Sequence, residues 1–475
     1  MMDEKDTSGS TNNQSDKPAG LAPSGLSRKD FLGTAAMAGA GLMVVPRRVL
    51  GGPGYQAPSD RLNIACVGVG GMGASNTRSL HELGENIYAL CDVDEEYAAE
   101  TFYNYPKAKK YTDFREMLEQ EPEIDAVVVA TPDNTHAAIA IQAMKAGKHA
   151  FVQKPLARTI YETRRMAEVA GETGVVTQMG NQGHCFDGTR KIVNWIRQGA
   201  IGKVHEVACW TNRPVTWWPQ GANVTQPDEI PLVPYTMHWD LWVGPSPYRP
   251  YHPDYAPFAW RGRWDFGTGS LGDMGAHIFD QPFWALELGA PETVHASPTP
   301  FNDEAYPQGS AVYYKFPARG GRPPVDLTWY DGGLKPRRPD ELGDEEAMGA
   351  WGGGMIFYGS EGMLQADVYG NNPRFIPSSM GDDVGEPDME IPLSPGIHEE
   401  FVNACKGEGE TSSPFGYASR LTETMLLGNL AIQFSEEPIK LQWDSENLRV
   451  PNLEDANSWL DERNNFRMGW RELIG

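Results

Sequence analysis

The chain has 475 residues and a formal net charge of −24, with 40 Lys and Arg against 64 Asp and Glu. That length exceeds one compact core, so two or more domains are expected, and an apolar content of 40% excludes a mostly disordered chain. The acidity argues against nucleic acid or an anionic membrane as partner, because binding phosphate needs clustered Lys and Arg, and five cysteines in so long a chain do not make a disulfide framework.

Residues 1–26 are polar and too poor in apolar side chains to fold alone. Ser27-Arg28-Lys29-Asp30-Phe31-Leu32 then opens a mildly apolar stretch that runs to Val45 and is interrupted by Gly33, Gly39 and Gly41. It is shorter than the roughly 20 residues a membrane span requires. A basic pair, a mild apolar run and small residues resemble a twin-arginine export signal, with Lys29 where the second Arg belongs. The resemblance implies export to the periplasm or cell envelope, with no stable membrane insertion after the signal is removed. The alternative is a disordered tail on a cytoplasmic protein. Residues 1–60 are set aside as signal and linker.

From Leu62 the texture changes. Short apolar runs at Leu62–Val69, Asn86–Asp92, Ile124–Ala130, His149–Val152 and Val175–Gln178 read as buried strands. Helical patterns lie between them, at Gly73–Leu83, Asp94–Tyr103, Asp113–Glu119, Thr135–Ala146 and Thr159–Thr173. Strand–helix alternation at this spacing predicts a doubly wound parallel sheet over residues 61–180. A helix at Gly188–Arg197 and a strand at Val204–Thr211 follow, then a Pro- and Trp-rich stretch over 212–267. One long helix is expected over Ser270–Leu288. Strands are expected near 292–297, 311–316, 325–330, 354–358 and 363–368, with Gly359-Ser360-Glu361-Gly362 as a hairpin turn. Loops over 332–353 and 370–390 and helices near 396–406 and 416–434 complete an α+β domain, 181–440, with a large, mostly antiparallel open sheet. Residues 441–475 are read as a C-terminal tail.

Three places carry chemistry. Gly68-Val69-Gly70-Gly71-Met72-Gly73 is a G-x-G-x-x-G turn between a strand and a helix, with Asp92 nineteen residues on at the end of the second strand. In that context the glycines permit a tight turn, close approach of a pyrophosphate and close helix–strand packing, while the helix N-terminus offers free N–H groups. Asp92 would accept from a ribose hydroxyl and repel a 2′-phosphate, which favours NAD(H) over NADP(H). Thr131-Pro132-Asp133-Asn134-Thr135-His136 and Gln153-Lys154-Pro155 follow the next two strands and face the same carboxyl edge. Lys154 there could hydrogen-bond a reacting oxygen, or it could be a solvated surface charge. Asp273 and His277 are four apart and share a helix face. They make either a proton-transfer pair, with the carboxylate raising the histidine's pKa, or a plain helix salt bridge.

Together these motifs resemble the Gfo/Idh/MocA oxidoreductases, a family that includes glucose–fructose oxidoreductase and inositol dehydrogenase. The resemblance covers roughly residues 61–440. It implies a Rossmann domain followed by an α/β domain whose open sheet carries substrate and subunit contacts, hence a homo-oligomer. It implies NAD(P)-dependent oxidation of a sugar or polyol hydroxyl. Lys154 is then the catalytic lysine, and the family's aspartate and histidine fall on Asp273 and His277, with His277 the general base in oxidation and acid in reduction. Gly68, Gly70, Gly71, Met72, Gly73, Asp92, Thr131, Pro132, Asn134, His136 and Lys154 would line the cofactor. Gln153 stands where the family usually has Glu.

A carbohydrate also suits the Trp-rich stretch, because sugar C–H faces stack on aromatic rings. Trp217, Trp218, Trp239, Trp260, Arg213, Arg261 and His238 are substrate candidates, with core packing as the alternative for each tryptophan. Gln178 and Asn181 at the domain junction are further candidates, or an interdomain polar contact. An exported enzyme implies a cofactor loaded beforehand and tightly held. It also admits a second chemistry, NAD-dependent glycoside cleavage by transient oxidation and elimination. No zinc spacing appears, no metal site is assigned, and Cys66, Cys91, Cys185, Cys209 and Cys405 are expected to be free thiols.

Overall fold

The computed structural model describes residues 60–475; the proposed signal and linker lie outside the described residues. The chain first winds β1 (Asn63–Val67), α1 (Gly71–Glu82), β2 (Asn86–Cys91), α2 (Ala99–Asn104), β3 (Lys109–Tyr111), α3 (Phe114–Gln120), β4 (Ala126–Val129), α4 (His136–Lys145), β5 (His149–Gln153), α5 (Ile160–Thr173) and β6 (Thr177–Gly180). Their strands form one parallel sheet in the order β3-β2-β1-β4-β5-β6. β4 is Ala-Val-Val-Val and buried at every position, as a central strand covered on both faces must be. The order reverses direction at β1 and β4, so their carboxyl ends open the crevice where ligands bind in such sheets.

The remainder comprises α6 (Asp187–Arg197), β7 (Glu206–Thr211), α7 (Trp239–Val243), α8 (Gly269–Ile278), α9 (Asp280–Leu286), β8 (Thr293–Pro298), β9 (Ser310–Phe316), β10 (Val325–Tyr330), β11 (Gly353–Tyr358), β12 (Met363–Asp367), β13 (Arg374–Ile376), α10 (Met380–Val384), α11 (Ile397–Cys405), α12 (Phe415–Gln433), β14 (Leu441–Gln442), α13 (Glu454–Arg463) and α14 (Arg471–Ile474). Eight strands make a second sheet, β13-β12-β11-β7-β10-β9-β8-β14, antiparallel except where β7 meets β10. The expected fold class, a doubly wound parallel sheet followed by a mostly antiparallel one, is the observed one. The turn at 359–362 closes the β11–β12 hairpin, with the Gly359 N–H donating to the Gly362 carbonyl at 2.9 Å.

Several elements differ from expectation. The helix expected at Asp94–Tyr103 begins only at Ala99, because Asp94 is drawn out of helical register. Its N–H donates to the Asp92 carboxylate, and the next N–H, that of Glu95, donates to Thr236. The helix expected over Ser270–Leu288 is two, α8 and α9. Pro282 has no N–H to offer the Ile278 carbonyl, which instead faces the Cys209 thiol at 3.7 Å. β3, α7, β13 and α10 were not expected, and the stretch read as a tail carries β14, α13 and α14. All five cysteines are free thiols, as expected.

Candidate active site

A cleft of about 320 Å³ lies at the carboxyl edge of the parallel sheet. Its floor is the glycine turn. Gly68 has φ +76°, and a Cβ there would sit 2.8 Å from the Ala130–Thr131 backbone. A Cβ on Gly73 would overlap the Gly68 carbonyl oxygen, so only glycine lets α1 lie this close to β1. Helix α1 starts with no side-chain cap and no acid in its first turn, which leaves its N–H groups for an anion. Met72 is half exposed beside them. The Tyr97 ring rests against Gly70 and Gly71, and neither has room for a side chain.

Asp92 closes one end. Its two oxygens accept from the Val69 N–H at 2.7 Å and the Asp94 N–H at 2.9 Å, and burial pushes its pKa up to about 6. These bonds aim the carboxylate toward the turn and leave lone pairs for a hydroxyl donor. The glycine cradle, the uncapped helix and the aimed carboxylate therefore fit a dinucleotide.

The Thr-Pro loop forms the adjacent wall. Thr131, Pro132, Asp133 and Thr135 line the cleft. Asn134 and His136, expected to line the cofactor, do not. Asn134 is fully buried and donates to the Val243 carbonyl and the Ser246 hydroxyl, so it fastens the loop to the chain beyond α7. His136 lies between the carbonyls of Pro155 (3.0 Å) and Thr131 (2.9 Å). Burial pushes its pKa down to about 4, so the ring is neutral and donates to one of the two. It ties the Thr-Pro loop to the Lys-Pro turn. Asp133 went unread: it is 4% exposed, accepts from the Thr268 hydroxyl at 2.7 Å, and burial raises its pKa to about 7.

Lys154 projects from the end of β5. Its Nζ donates to the Asp273 carbonyl at 2.8 Å and to Asp273 Oδ1 at 2.7 Å. Arg261 Nε stands 3.7 Å from the same oxygen. Burial alone would raise the Asp273 pKa, but Lys154 and Arg261 hold it down to about 2. This corrects the expected Asp273–His277 pair: the carboxylate serves Lys154. His277 is 3% exposed, with Nδ1 unpartnered and its ring 4.5 Å from that of Tyr369. Burial and the nearby Lys154 ammonium depress its pKa well below the usual 6.5, outweighing the opposite pull of Asp273. The His277 imidazole is thus neutral at neutral pH, its pKa lowered rather than raised as expected.

Gln153 also has a partner. Its amide nitrogen lies 3.3 Å from Asn76 Oδ1, and a Cβ on Gly180 would meet it at 2.6 Å. The Gln153 amide thus donates to the Asn76 side chain at the end of β5.

The substrate candidates divide. Trp260 and Arg261 line the cleft, Arg261 lying over the rings of Phe258 and Trp260. Arg213 is close enough to Asp273, Arg261 and His277 to interact electrostatically with each. Asn181 is fully buried at the end of β6 with both amide atoms unpartnered. The others are elsewhere engaged. Trp218 is buried and donates to Gln220, and Trp239 stacks on Trp242 at 4.6 Å in an aromatic core with Tyr255 and Phe266. His238 is exposed, its N–H tied to Val93, Gln178 accepts from the Ser413 N–H, and Trp217 lies under Arg213. Tyr97, Trp242, Phe258 and Trp470 line the cleft without having been singled out. Asp133 sat in a motif already in view, but nothing local marks Trp470, which reaches the cleft from the far end of the chain. Among the described residues no group of three His, Cys, Asp or Glu side chains is arranged to hold a metal ion, and no helix is long and apolar enough to cross a membrane.

Comparison with known proteins agrees with this geometry. Residues 62–181 match the Gfo/Idh/MocA family described as "Oxidoreductase family, NAD-binding Rossmann fold", and residues 188–316 match its "C-terminal alpha/beta domain". A "Glycosyl hydrolase family 109 protein" of Shewanella pealeana is 30% identical over 203 residues, 38% of this chain and 44% of that protein. A "Myo-inositol 2-dehydrogenase" of Thermotoga maritima is 31% identical over 145 residues, 30% of this chain and 43% of that protein. The match thus spans less than half the length of these curated relatives. Among solved structures, the WlbA dehydrogenase of Bordetella pertussis with NADH and UDP-GlcNAcA superposes with a TM-score of 0.56 at 18% identity, covering 81% of this chain and 99% of that one. Levoglucosan dehydrogenase with NADH superposes with a TM-score of 0.53 at 17% identity, covering 83% and 100%. At those identities the likeness is one of fold. The glycine turn, its aspartate and the two-sheet architecture therefore meet in one conclusion: this chain belongs to the Gfo/Idh/MocA oxidoreductase family, with an NAD-binding Rossmann fold.

Proposed function

We propose that the protein is a dehydrogenase that moves a hydride between a sugar or polyol hydroxyl and a nicotinamide. The observation that carries this reading is the ion pair of Lys154 with Asp273 at the mouth of the glycine-turn cleft, with neutral His277 one helical turn on. Gly68, Gly70, Gly71, Met72, Gly73 and Asp92 would hold the dinucleotide, and Asp92 favours NAD(H) over NADP(H) by repelling a 2′-phosphate. When bound, the nicotinamide supplies the hydride acceptor.

The chain's own residues handle the proton. The Lys154 ammonium, aimed by Asp273, hydrogen-bonds the reacting hydroxyl and stabilises its developing negative charge. His277, held neutral by burial and by the Lys154 charge, takes the proton. The ring of Tyr369, 4.5 Å away, restricts how His277 turns. Reduction runs the same transfers backwards, so His277 then needs its proton.

The test is NADH formation by the full chain across a panel of sugars and polyols, after denaturing a sample to assay any nucleotide already held. Sugar-dependent NADH that disappears in Lys154→Ala and His277→Ala is expected. Undiminished NADH formation in both variants would overturn the roles assigned to Lys154 and His277. A second reading, glycoside cleavage by transient oxidation, elimination and return of the hydride, is favoured by the 30% identity to the glycosyl hydrolase family 109 protein. Release of a reducing sugar without NADH accumulation would select it.

A further inference from the structure

Charge at the substrate end of the cleft does not balance. Lys154, Arg261 and Arg213 bring three cations together. Asp273 is the carboxylate that answers, at 2.7 Å from Lys154 and 3.7 Å from Arg261. Asp133 is turned to the Thr268 hydroxyl, and burial discourages its ionisation. His277 adds no negative charge. In a chain with 24 more acids than bases, a cationic patch of this kind stands against the overall composition.

Arg213 is the unanswered member. No carboxylate among the described residues lies within ion-pair distance of it, whereas Arg249 pairs with Asp265 and Glu304, and Arg263 with Glu304. Its guanidinium lies on the Trp217 ring at 3.2 Å, so it is held in place by stacking. Its Nε and Nη1 are buried and have no hydrogen-bond partner. His277, close enough to feel the Arg213 charge, likewise has an unpartnered Nδ1. Tyr369, which feels the Arg213 charge, has φ +65° without being glycine, a strained backbone of the kind that gathers at ligand sites. A guanidinium that no carboxylate answers is the complement of an anionic ligand, and its edge fits two oxygens of one such group.

We propose that the sugar taken by this cleft carries an anionic group, a carboxylate or a sulfate, seated on Arg213. This rests on the dehydrogenase reading only for which end of the cleft receives the sugar. Lys154 and Arg261 remain with Asp273; Arg213 supplies the discrimination between charged and neutral sugars.

The test is binding, measured calorimetrically on the NAD-loaded full chain. The probes are glucuronate, galacturonate, glucose 6-sulfate and galactose 6-sulfate, each against its neutral parent sugar. At least one anionic probe is expected to bind about tenfold tighter than its parent or better, a preference weakened by salt. Arg213→Gln should abolish the preference, while Arg213→Lys, which keeps the charge and loses the fork, should retain part of it. The carboxylate and sulfate arms separate the two sources of charge. NAD binding by each variant checks that the fold is intact. No anionic probe binding better than its parent, or a preference that survives in Arg213→Gln, would overturn the proposal. Failure of the dehydrogenase reading is seen separately: the probes bind in an Arg213-dependent way, yet no sugar yields NADH.

Discussion

Lys154 and Asp273 are each partly buried, and each makes the other's charge tolerable. Lys154→Met removes the cation beside Asp273, so the Asp273 pKa should rise from about 2 and the reacting hydroxyl should lose its donor. A fall in sugar turnover of about 10²–10⁴-fold is expected, checked by steady-state kinetics at saturating NAD. His277 gives a pH signature. A base is useful only when unprotonated, and burial with Lys154 holds this one neutral well below the usual histidine range. The acid limb of kcat/KM at saturating NAD should therefore lie below pH 6.5, and a limb centred at or above that value would remove His277 from the role. Asp133 gives a stability signature of the opposite kind. Its folded pKa of about 7 exceeds the unfolded 3.8, so the folded state keeps a proton that the unfolded chain gives up. Stability on its account is full below the unfolded pKa and is lost as pH rises toward 7. Asp133→Asn should thus gain on the parent by a few kcal/mol between about pH 5 and about pH 8, measured by urea unfolding at each.

At the scale of elements, the β1–α1 unit shows how a turn, a strand and a helix depend on one atom. Val67 and Gly68 sit between β2 and β4, with the Gly68 N–H donating to Cys91 and the Ala130 N–H to Val67 at 2.9 Å each. That pins the strand end, so α1 can approach only where Gly73 leaves space. Gly73→Ala would force the helix off the strand, because its methyl would overlap the Gly68 carbonyl. NAD binding should fall at least about tenfold while the far-UV spectrum stays that of a folded chain. Unchanged affinity would mean that the turn does not hold the cofactor. The break between α8 and α9 works likewise. Pro282 ends the first helix, which leaves α8 short, begun at Gly269 with φ +66°, and with Asp273 in its middle facing Lys154.

At the scale of the whole molecule, α12 sets the distance between those two side chains. Its Thr422 hydroxyl accepts from the Leu156 N–H at 3.3 Å, just past the Lys-Pro turn. Two turns on, Asn429 donates to the Thr268 carbonyl at 2.9 Å, just before α8. One helix therefore grips both supports of the Lys154–Asp273 pair. It is anchored to α5 by the ion pair of Glu423 with Arg164, and Glu423 also accepts from the Trp443 indole at 2.8 Å. Glu423→Ala leaves the Trp443 indole N–H without its acceptor and the partly buried Arg164 without its carboxylate, with only Ser445 left to it. It should cost about 3–5 kcal/mol by denaturant unfolding and lower turnover as well. A loss below about 1 kcal/mol would show that α12 is held by its apolar face alone.

What was legible from residue order alone is local in origin. The parallel sheet was readable because buried strands such as Ala126–Val129 are continuous apolar runs, and the dinucleotide turn because its glycines and Asp92 lie within one strand–helix–strand unit. Lys154, Asp273 and His277 could be singled out as residue types in suggestive places. Their partnership could not: the four-residue spacing pointed to an Asp273–His277 pair, whereas the carboxylate bonds a lysine 119 residues away. The tryptophans show the same limit, since composition cannot separate Trp260 at the cleft from Trp239 in the core. Asn134 and His136 sit in the right loop but turn inward, because buried polar groups go to whichever carbonyl or hydroxyl the fold brings near. Backbone periodicity and turn chemistry are short-range, so sequence determined the sheets and the glycine cradle. Charge pairing, burial and the resulting pKa values depend on distances across the folded chain, and only the tertiary structure decided them.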